Sequence, residues 1–249
     1  MDEWLQPSLP PAAPWKYVER AGCWAIDIGL PSDPSPEGLT HFAYDMVRSF
    51  MTAFHTLCRV TTVGYDTVAL DAGGRVVQIR EGETLKVRTA SVDVVVKHLE
   101  GALGKEDGSF FSKILLDCDV RVIPPETGRG LPSEVWIPGA GWFYLGYVLE
   151  YDSSDRPVPT EGSIEFQTAI DVWLDRTLDL NSRQWRDNLA YAQRNRRRLA
   201  DALRAWEKLV GHPISEWSSR YYPDQTSRYG FTSQLTSTSS SASPVASSH

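Results

Sequence analysis

The chain has little cysteine and no spacing of cysteine and histidine that is typical of a zinc site. Its 249 residues include five histidines and three cysteines, Cys23, Cys58 and Cys118. An odd number of cysteines without a Cys-x-x-Cys pair argues against a disulfide framework and against a structural zinc site. We therefore expect three reduced thiols, most of them buried.

The chain also lacks a long apolar run. No stretch reaches the roughly 18 apolar residues that indicate a membrane-spanning helix. Residues 1–4 are acidic, and neither the cationic start nor the apolar core of a secretory signal follows them. These absences predict a protein without a membrane span, and we expect it in the cytoplasm.

Sequence motifs of the common enzyme classes are missing. Residues 101–106, GALGKE, contain the glycine and lysine of a phosphate-binding loop, but the full spacing is absent and Glu106 replaces the hydroxyl that would reach magnesium. No Gly-x-Gly-x-x-Gly follows an expected strand, and no Gly-x-Ser-x-Gly presents a nucleophile. We therefore predict no cofactor, and we favour a non-enzymatic function over catalysis.

Aromatic and apolar side chains, in contrast, are abundant. Nine Trp, ten Tyr and eight Phe occur in a chain that is 41% hydrophobic. A chain of this length buries a large core, and aromatic side chains either fill such a core or form broad contact surfaces. The composition therefore predicts a globular protein with a largely aromatic core.

Strand patterns dominate residues 17–151. β-Branched and aromatic residues alternate with polar ones in several runs, and glycines or prolines separate these runs. The expected strands are 17–28, 62–70, 75–80, 85–99, 114–123, 135–137 and 142–151, with residues 138–141 as the turn between the last two. Short turns between consecutive strands predict a mainly antiparallel sheet.

Two segments have the periodicity of a helix. Apolar residues from Leu39 to Leu57 recur at steps of three and four, which predicts an early amphipathic helix of about five turns. Residues 182–209 contain a second apolar stripe, and Gly211 and Pro213 mark its end. Residues 163–180 fit both the period of a strand and that of a helix, and we favour the helix.

Together these patterns predict an α+β fold: a mainly antiparallel, twisted sheet with the early amphipathic helix and the long C-terminal helix packed on it. We expect residues 15–231 to form a single domain. Residues 1–14 are rich in proline and predict an extended arm. Residues 232–249 are rich in serine and threonine and predict a disordered tail.

Charge is divided unevenly along the chain. Residues 182–209 contain eight basic and three acidic residues, a net charge of +5, and the whole chain has −7, so the remainder has −12. An acidic body repels a long polyanion, so nucleic acid is the least favoured ligand even though residues 194–198 contain four arginines. The acidic, aromatic-rich remainder favours another protein as the partner. In its most specific version, this prediction names a basic effector or toxin as that partner.

The sequence therefore predicts a non-enzymatic, acidic protein-binding protein, and in its specific form an immunity or antitoxin protein that neutralises a basic effector. If residues 163–180 are helical, three aspartates spaced four apart line one face of that helix. The candidate binding residues are Asp171, Asp175, Asp179, Trp173, Trp136, Trp142, Arg194 and Arg197.

Two other functions stay open. Asp117 and Asp119 lie two apart on an expected strand, so their carboxylates share a face and could bind a divalent cation in a metal-dependent hydrolase or nuclease. No characteristic spacing supplies the further oxygen ligands that a hard cation requires. The third hypothesis is a structural or scaffolding subunit that is tethered by its two terminal segments.

Overall fold

The computed structural model describes residues 17–233 except for 72–75, 83, 104–107, 126–133, 152, 154–156 and 180–183. The expected proline-rich arm and nearly all of the expected tail lie outside these residues. Two residues of that tail are described: the Thr232 N–H donates to the Gln225 carbonyl at 2.8 Å, and Ser233 Oγ donates to Asp175 Oδ2 at 2.8 Å. Specific contacts therefore extend beyond residue 231, the expected end of the domain.

Twelve strands, three α-helices and one short 3₁₀ helix at Pro223–Gln225 follow one another along the described residues. The strands are β1 Tyr17–Ile28, β2 Cys58–Leu70, β3 Val76–Glu81, β4 Leu85–Thr89, β5 Ser109–Val122, β6 Val135–Tyr151, β7 Pro157–Ile170, β8 Arg176–Asp179, β9 Gln184–Asp187, β10 Glu216–Ser218, β11 Thr226–Ser227 and β12 Gly230–Phe231. The α-helices are α1 Pro36–Ala53, α2 Val92–Leu103 and α3 Leu189–Val210. Over the residues that the structure describes, no helix combines the length and the apolarity that crossing a membrane requires.

Eight of the strands form one antiparallel sheet. Its order is β10-β1-β7-β6-β5-β2-β3, and β4 pairs with the first part of β2. The strands β8 and β9 form a separate hairpin, and so do β11 and β12. The prediction of an α+β fold with a mainly antiparallel sheet is therefore confirmed.

The helices pack on one face of the sheet through aromatic side chains. In α1, the ring of Phe50 lies 4.6 Å from that of Phe143 on β6, and the ring of Phe54 lies 4.5 Å from that of Phe166 on β7. Trp206 of α3 joins this group at 5.9 Å from Phe54. The helix α2 adds three buried side chains to the same core: Val95, Val96 and Leu99. The apolar stripes of the sequence are thus buried between the helices and one side of the sheet.

Residues 85–99 are not one strand, which corrects the prediction. The strand β4 is short, and the helix α2 follows it. Val95, Val96 and Leu99 are buried at helical spacing, while Val94, which directly precedes them, is exposed. The β-branched composition favours a strand, but the burial of this stripe outweighs so weak a propensity.

Residues 163–180 are not a helix, which corrects a second prediction. The strand β7 continues to Ile170 and lies between β1 and β6. Ile164 pairs with Ile26 on one side and with Leu145 on the other, so backbone hydrogen bonds occupy both edges of β7. Residues 163–170 therefore form a strand, as their alternating pattern indicates, and the three aspartates do not line one face of a helix.

Residues 135–151 form one strand, β6, where the sequence predicts a pair joined by a turn. Ile137 and Trp142, which lie on the two sides of the expected turn, both pair with residues of β5. A register shift lies between them, and Gly139 there has a φ of 57°. Glycine adopts a positive φ at little cost, so the chain bulges at this point without reversing its direction.

The helix α3 begins at Leu189, later than the predicted start at residue 182. Residues before it form β9, which pairs with β8. Asp187 Oδ1 accepts a hydrogen bond from the Leu189 N–H at 3.0 Å. The buried Asn188 donates from Nδ2 to the carbonyls of Asp171 and Leu174, both at 3.1 Å. These bonds connect the start of α3 to the turn that follows β7.

Candidate functional site

The sheet face opposite the helices, which we call the open face, carries a row of polar and aromatic side chains. The strand register places five residues side by side on β2, β5, β6, β7 and β1: Thr62, Asp117, Trp142, Gln167 and Cys23. All five side chains are half-buried. The next residues along β2, β5 and β6, which are Val63, Cys118 and Phe143, are buried in the core. Among the described residues, no helix packs on the open face.

A second row lies next to the first and contains an acidic centre. Leu115, Tyr144, Glu165 and Ala25 are paired across the same strands. Glu165 Oε1 accepts hydrogen bonds from Cys23 Sγ at 2.6 Å and from Gln167 Nε2 at 2.5 Å. The two rows are thereby joined into one patch of acidic, amide and aromatic groups.

Cys23 is a hydrogen-bond donor in this patch and a poor nucleophile. Burial and the hydrogen bond to Glu165 raise the pKa of its thiol to about 12. Because the thiolate is the reactive form of cysteine, Cys23 is unreactive at neutral pH. All three cysteines are free, and Cys58 and Cys118 are buried, as the sequence predicts.

An ion pair closes one end of the open face. Arg59 donates from Nε and Nη2 to Asp119 Oδ2 at 2.8 and 2.7 Å, and the Gly139 N–H donates to Asp119 Oδ1 at 3.2 Å. The Arg59 guanidinium also lies 4.5 Å from the centre of the Trp136 ring. Trp136 pairs with Arg121 and Trp142 with Asp117, four residues apart on β5, so these two candidate binding residues lie on the same face of β6.

Asp117 and Asp119 share the open face as their spacing predicts, but their contacts oppose the metal-site hypothesis. Both oxygens of Asp119 already accept hydrogen bonds, and Thr62 Oγ1 donates to Asp117 Oδ2. A cation at Asp119 would have to displace the guanidinium of Arg59. Within the described ranges, no group of three or more His, Cys, Asp or Glu side chains could hold a metal ion.

Asp171, Trp173 and Asp175 are buried in the turn between β7 and β8, which corrects their prediction as a surface. Asp171 Oδ2 lies 3.5 Å from Arg186 Nη2 on β9. The backbone carbonyl of Trp173 accepts a hydrogen bond from Arg196 Nε on α3 at 3.0 Å. This turn therefore holds β9 and α3 in place. Its three side chains Asp171, Trp173 and Asp175 are buried and so are not accessible to a partner.

Asp175 connects the turn to α3 and to the end of the described chain. Its carboxylate accepts hydrogen bonds from Arg196 Nη2 and from Ser233 Oγ, and its carbonyl accepts one from the Asn188 N–H at 2.8 Å. A buried carboxylate needs such partners because burial disfavours its charge. The side chain of Asp179, the third aspartate of the predicted stripe, lies outside the described residues.

The arginines of α3 differ in their surroundings. Arg194 and Arg197 are exposed, and the Arg197 side chain is 89% exposed with its Nε 3.6 Å from Asp201 Oδ2. Arg198 instead donates from Nη2 to the carbonyl of Thr56 at 2.7 Å and is half-buried. The structure therefore separates Arg194 and Arg197 from the two tryptophans, which lie on the open face.

Sequence reasoning missed several residues of the open face, above all Glu165 and Gln167. The signal was present, because polar residues at 163, 165 and 167 alternate with Ile164 and Phe166. A strand interpretation of this segment places Glu165 and Gln167 on one face. The helical interpretation drew attention to the aspartates instead.

The open face combines carboxylates, an amide and indole rings on neighbouring strands, and the raised pKa of its thiol keeps that group protonated. Hydroxyl and thiol donors are already bonded to Asp117 and Glu165.

Comparison of the chain with protein-family models, with curated proteins and with solved structures finds no match.

Proposed function

We propose that this protein binds another protein through the open face. The observation that carries the proposal is the register of Asp117, Trp142 and Gln167, which sets an acidic, an aromatic and an amide side chain side by side. Strands hold these groups in place before a partner arrives. Such preorganisation supports binding because less conformational freedom is lost on association.

Aromatic side chains supply the apolar contacts of the proposed interface. Trp142 and Tyr144 lie two apart on β6 and so point to the same side, and both are half-buried. Tryptophan and tyrosine contribute most of the binding energy at many protein interfaces because each buries a large area. Trp142 has the central place in its row, and we expect it to contribute most.

The charges of the open face favour a partner with a basic surface. Asp117 and Glu165 bring one carboxylate to each row, and Asp27 lies in the next row, which also contains Lys113. The two nearby cations are neutralised, because Lys113 Nζ lies 3.6 Å from Asp66 Oδ2 and Arg59 is paired with Asp119. The whole chain has a net charge of −7, which adds a long-range attraction for a basic protein. In its specific form, the proposal is an inhibitory protein of the immunity or antitoxin kind that covers the basic region of an effector.

A pair of tryptophan variants tests the proposal. Tagged wild type, Trp142→Ala and Trp185→Ala are used for affinity capture from the native source, and retained proteins are quantified by mass spectrometry. Trp185 is the matched control, since it is 54% exposed and lies on β9, outside the large sheet. We expect a basic partner that wild type and Trp185→Ala retain and that Trp142→Ala retains at least about tenfold less.

Salt and folding controls complete the experiment. Retention of the partner should weaken as ionic strength rises, because salt screens attraction between charged surfaces. Thermal unfolding of both variants establishes that each is folded. Equal retention of every protein by the three baits, or a partner that is itself acidic, would contradict the proposal.

A further inference from the structure

A groove rich in arginine lies beside the helices, apart from the open face. It has a volume of about 450 Å³ and runs between α3 and the hairpin of β11 and β12. Its principal lining residues are Gln193, Arg196, Arg197, Arg204, Tyr229 and Phe231, and we call it the arginine groove. This volume is in the range of pockets that accept small molecules.

The groove has an excess of positive charge. Arg197 and Arg204 share a single carboxylate: Arg197 Nε lies 3.6 Å and Arg204 Nη1 3.3 Å from Asp201. The third arginine, Arg196, is neutralised by Asp175. Two exposed guanidinium groups with one carboxylate between them leave one positive charge and more N–H donors than Asp201 can satisfy.

Contacts within the groove preorganise Arg204. Its guanidinium carbon lies 4.9 Å from the centre of the Tyr229 ring. The Tyr229 hydroxyl in turn donates to Glu207 Oε1 at 2.9 Å, so the ring is fixed to α3. Arg196 is fixed as well, by its bond to the carbonyl of Trp173. A side chain that is already ordered loses less entropy when a ligand binds.

We propose that the arginine groove binds a small ligand that bears phosphate groups. The planar fork of a guanidinium matches two phosphate oxygens at once, and Arg197 and Arg204 lie two turns apart on one face of α3. The acidic remainder of the chain repels a long polyanion, and the groove is limited in volume. Both facts favour a phosphomonoester or a diphosphate over a nucleic acid.

Titration calorimetry with inorganic pyrophosphate at low ionic strength tests this inference on the full chain. We expect saturable binding with one site per chain. The double variant Arg197→Gln/Arg204→Gln should weaken it at least about tenfold, because two charge-assisted contacts are removed. Arg48→Gln is the matched control, since Arg48 forms an i, i+3 pair with Asp45 on α1 and lies outside the groove.

A second pair of variants separates a built site from general attraction to positive charge. Asp201→Asn should tighten pyrophosphate binding, because it removes the carboxylate that competes for both arginines, whereas Asp45→Asn should leave binding unchanged. Equal tightening by both variants, or absence of saturable binding of pyrophosphate to the wild type, would overturn the inference. So would tight binding of a DNA duplex together with weak binding of pyrophosphate.

Discussion

Arg59 and Asp119 form a two-donor ion pair across β2 and β5, at the end of the open face. Arg59 Nε and Nη2 lie 2.8 and 2.7 Å from the same oxygen of Asp119. The Asp119 side chain is only 3% exposed, and its other oxygen accepts a hydrogen bond from the Gly139 N–H. The pair therefore joins two neighbouring strands to the bulge of β6 while it holds Arg59 over the ring of Trp136.

Removal of the buried carboxylate should destabilise the fold. Asp119→Ala leaves the guanidinium of Arg59 and the Gly139 N–H without their acceptor, and breaking a buried pair in this way costs about 3 kcal/mol. Urea denaturation measures the free energy of unfolding. The matched control is Asp45→Ala, which removes an exposed partner of Arg48 and should change that free energy by less than about 1 kcal/mol. Equal effects of the two substitutions would contradict this account.

Divalent cations should not stabilise the protein. Asp117 and Asp119 are already bonded to Thr62 and Arg59, so a cation gains carboxylate ligands only by breaking those bonds. Thermal unfolding of the wild type with and without millimolar magnesium or manganese measures the effect, because a ligand that binds the native state raises Tm. A saturable rise in Tm that Asp117→Asn abolishes would restore the metal-dependent hypothesis.

Glu207 should make stability depend on pH in the acidic range. Burial raises the pKa of Glu207, but hydrogen bonds from the Ile214 N–H, Tyr229 and Arg228 outweigh it and hold the pKa below its usual value of 4.5. A carboxyl with a lowered pKa stabilises the fold above pH 4.5, and this contribution is lost as the pH falls through the folded-state pKa. Glu207→Gln should therefore cost about 1 kcal/mol at pH 7 and progressively less under acidic conditions.

Urea denaturation of wild type and Glu207→Gln at a series of pH values measures this difference. Glu150→Gln is the control, because Glu150 is exposed near the end of β6. A destabilisation by Glu207→Gln that is the same at pH 3 and at pH 7 would show that the carboxylate charge has no part in it.

Two glycines should respond to alanine with opposite signs. A Cβ at Gly82 would meet the backbone oxygen of Tyr65 at 1.8 Å, so Gly82→Ala forces the backbone apart and should destabilise by about 2 kcal/mol. A Cβ at Gly101 meets nothing within 4 Å, and Gly101 lies in α2, where alanine is favoured by up to about 1 kcal/mol. Thermal unfolding of the two variants measures both effects, and a stable Gly82→Ala variant would contradict the close contact with Tyr65.

Elements with strong local signals were predicted well. The bounds of β1 agree with the expected 17–28. The helix α1 overlaps the expected Leu39–Leu57 but begins three residues earlier, after Ser35, whose Oγ accepts a hydrogen bond from the Gly38 N–H at 3.1 Å. The end of α3 at Gly211, with a φ of 78°, also follows the local pattern. Capping and turn geometry involve residues that are close in the chain, so the sequence carries their signals directly.

Elements whose identity depends on distant partners were predicted poorly. The valines of α2 have the propensity of a strand, but the segment forms a helix because this conformation buries its apolar stripe next to α1. The aspartates at 171 and 175 look like a charged surface in the sequence, and their partners Arg186 and Arg196 lie on separate later elements. Neither outcome has a local cause.

The sequence by itself determined the α+β class, the antiparallel sheet, the aromatic core and the uneven charge, because composition and short-range periodicity express them. Only the tertiary structure decided which polar residues are buried and which meet on the open face. Trp142 and Gln167 become neighbours through the pairing of β6 with β7, and Cys23 joins them through β1. Strand register is set by the packing of the whole sheet, so no local pattern of residues could place these side chains together.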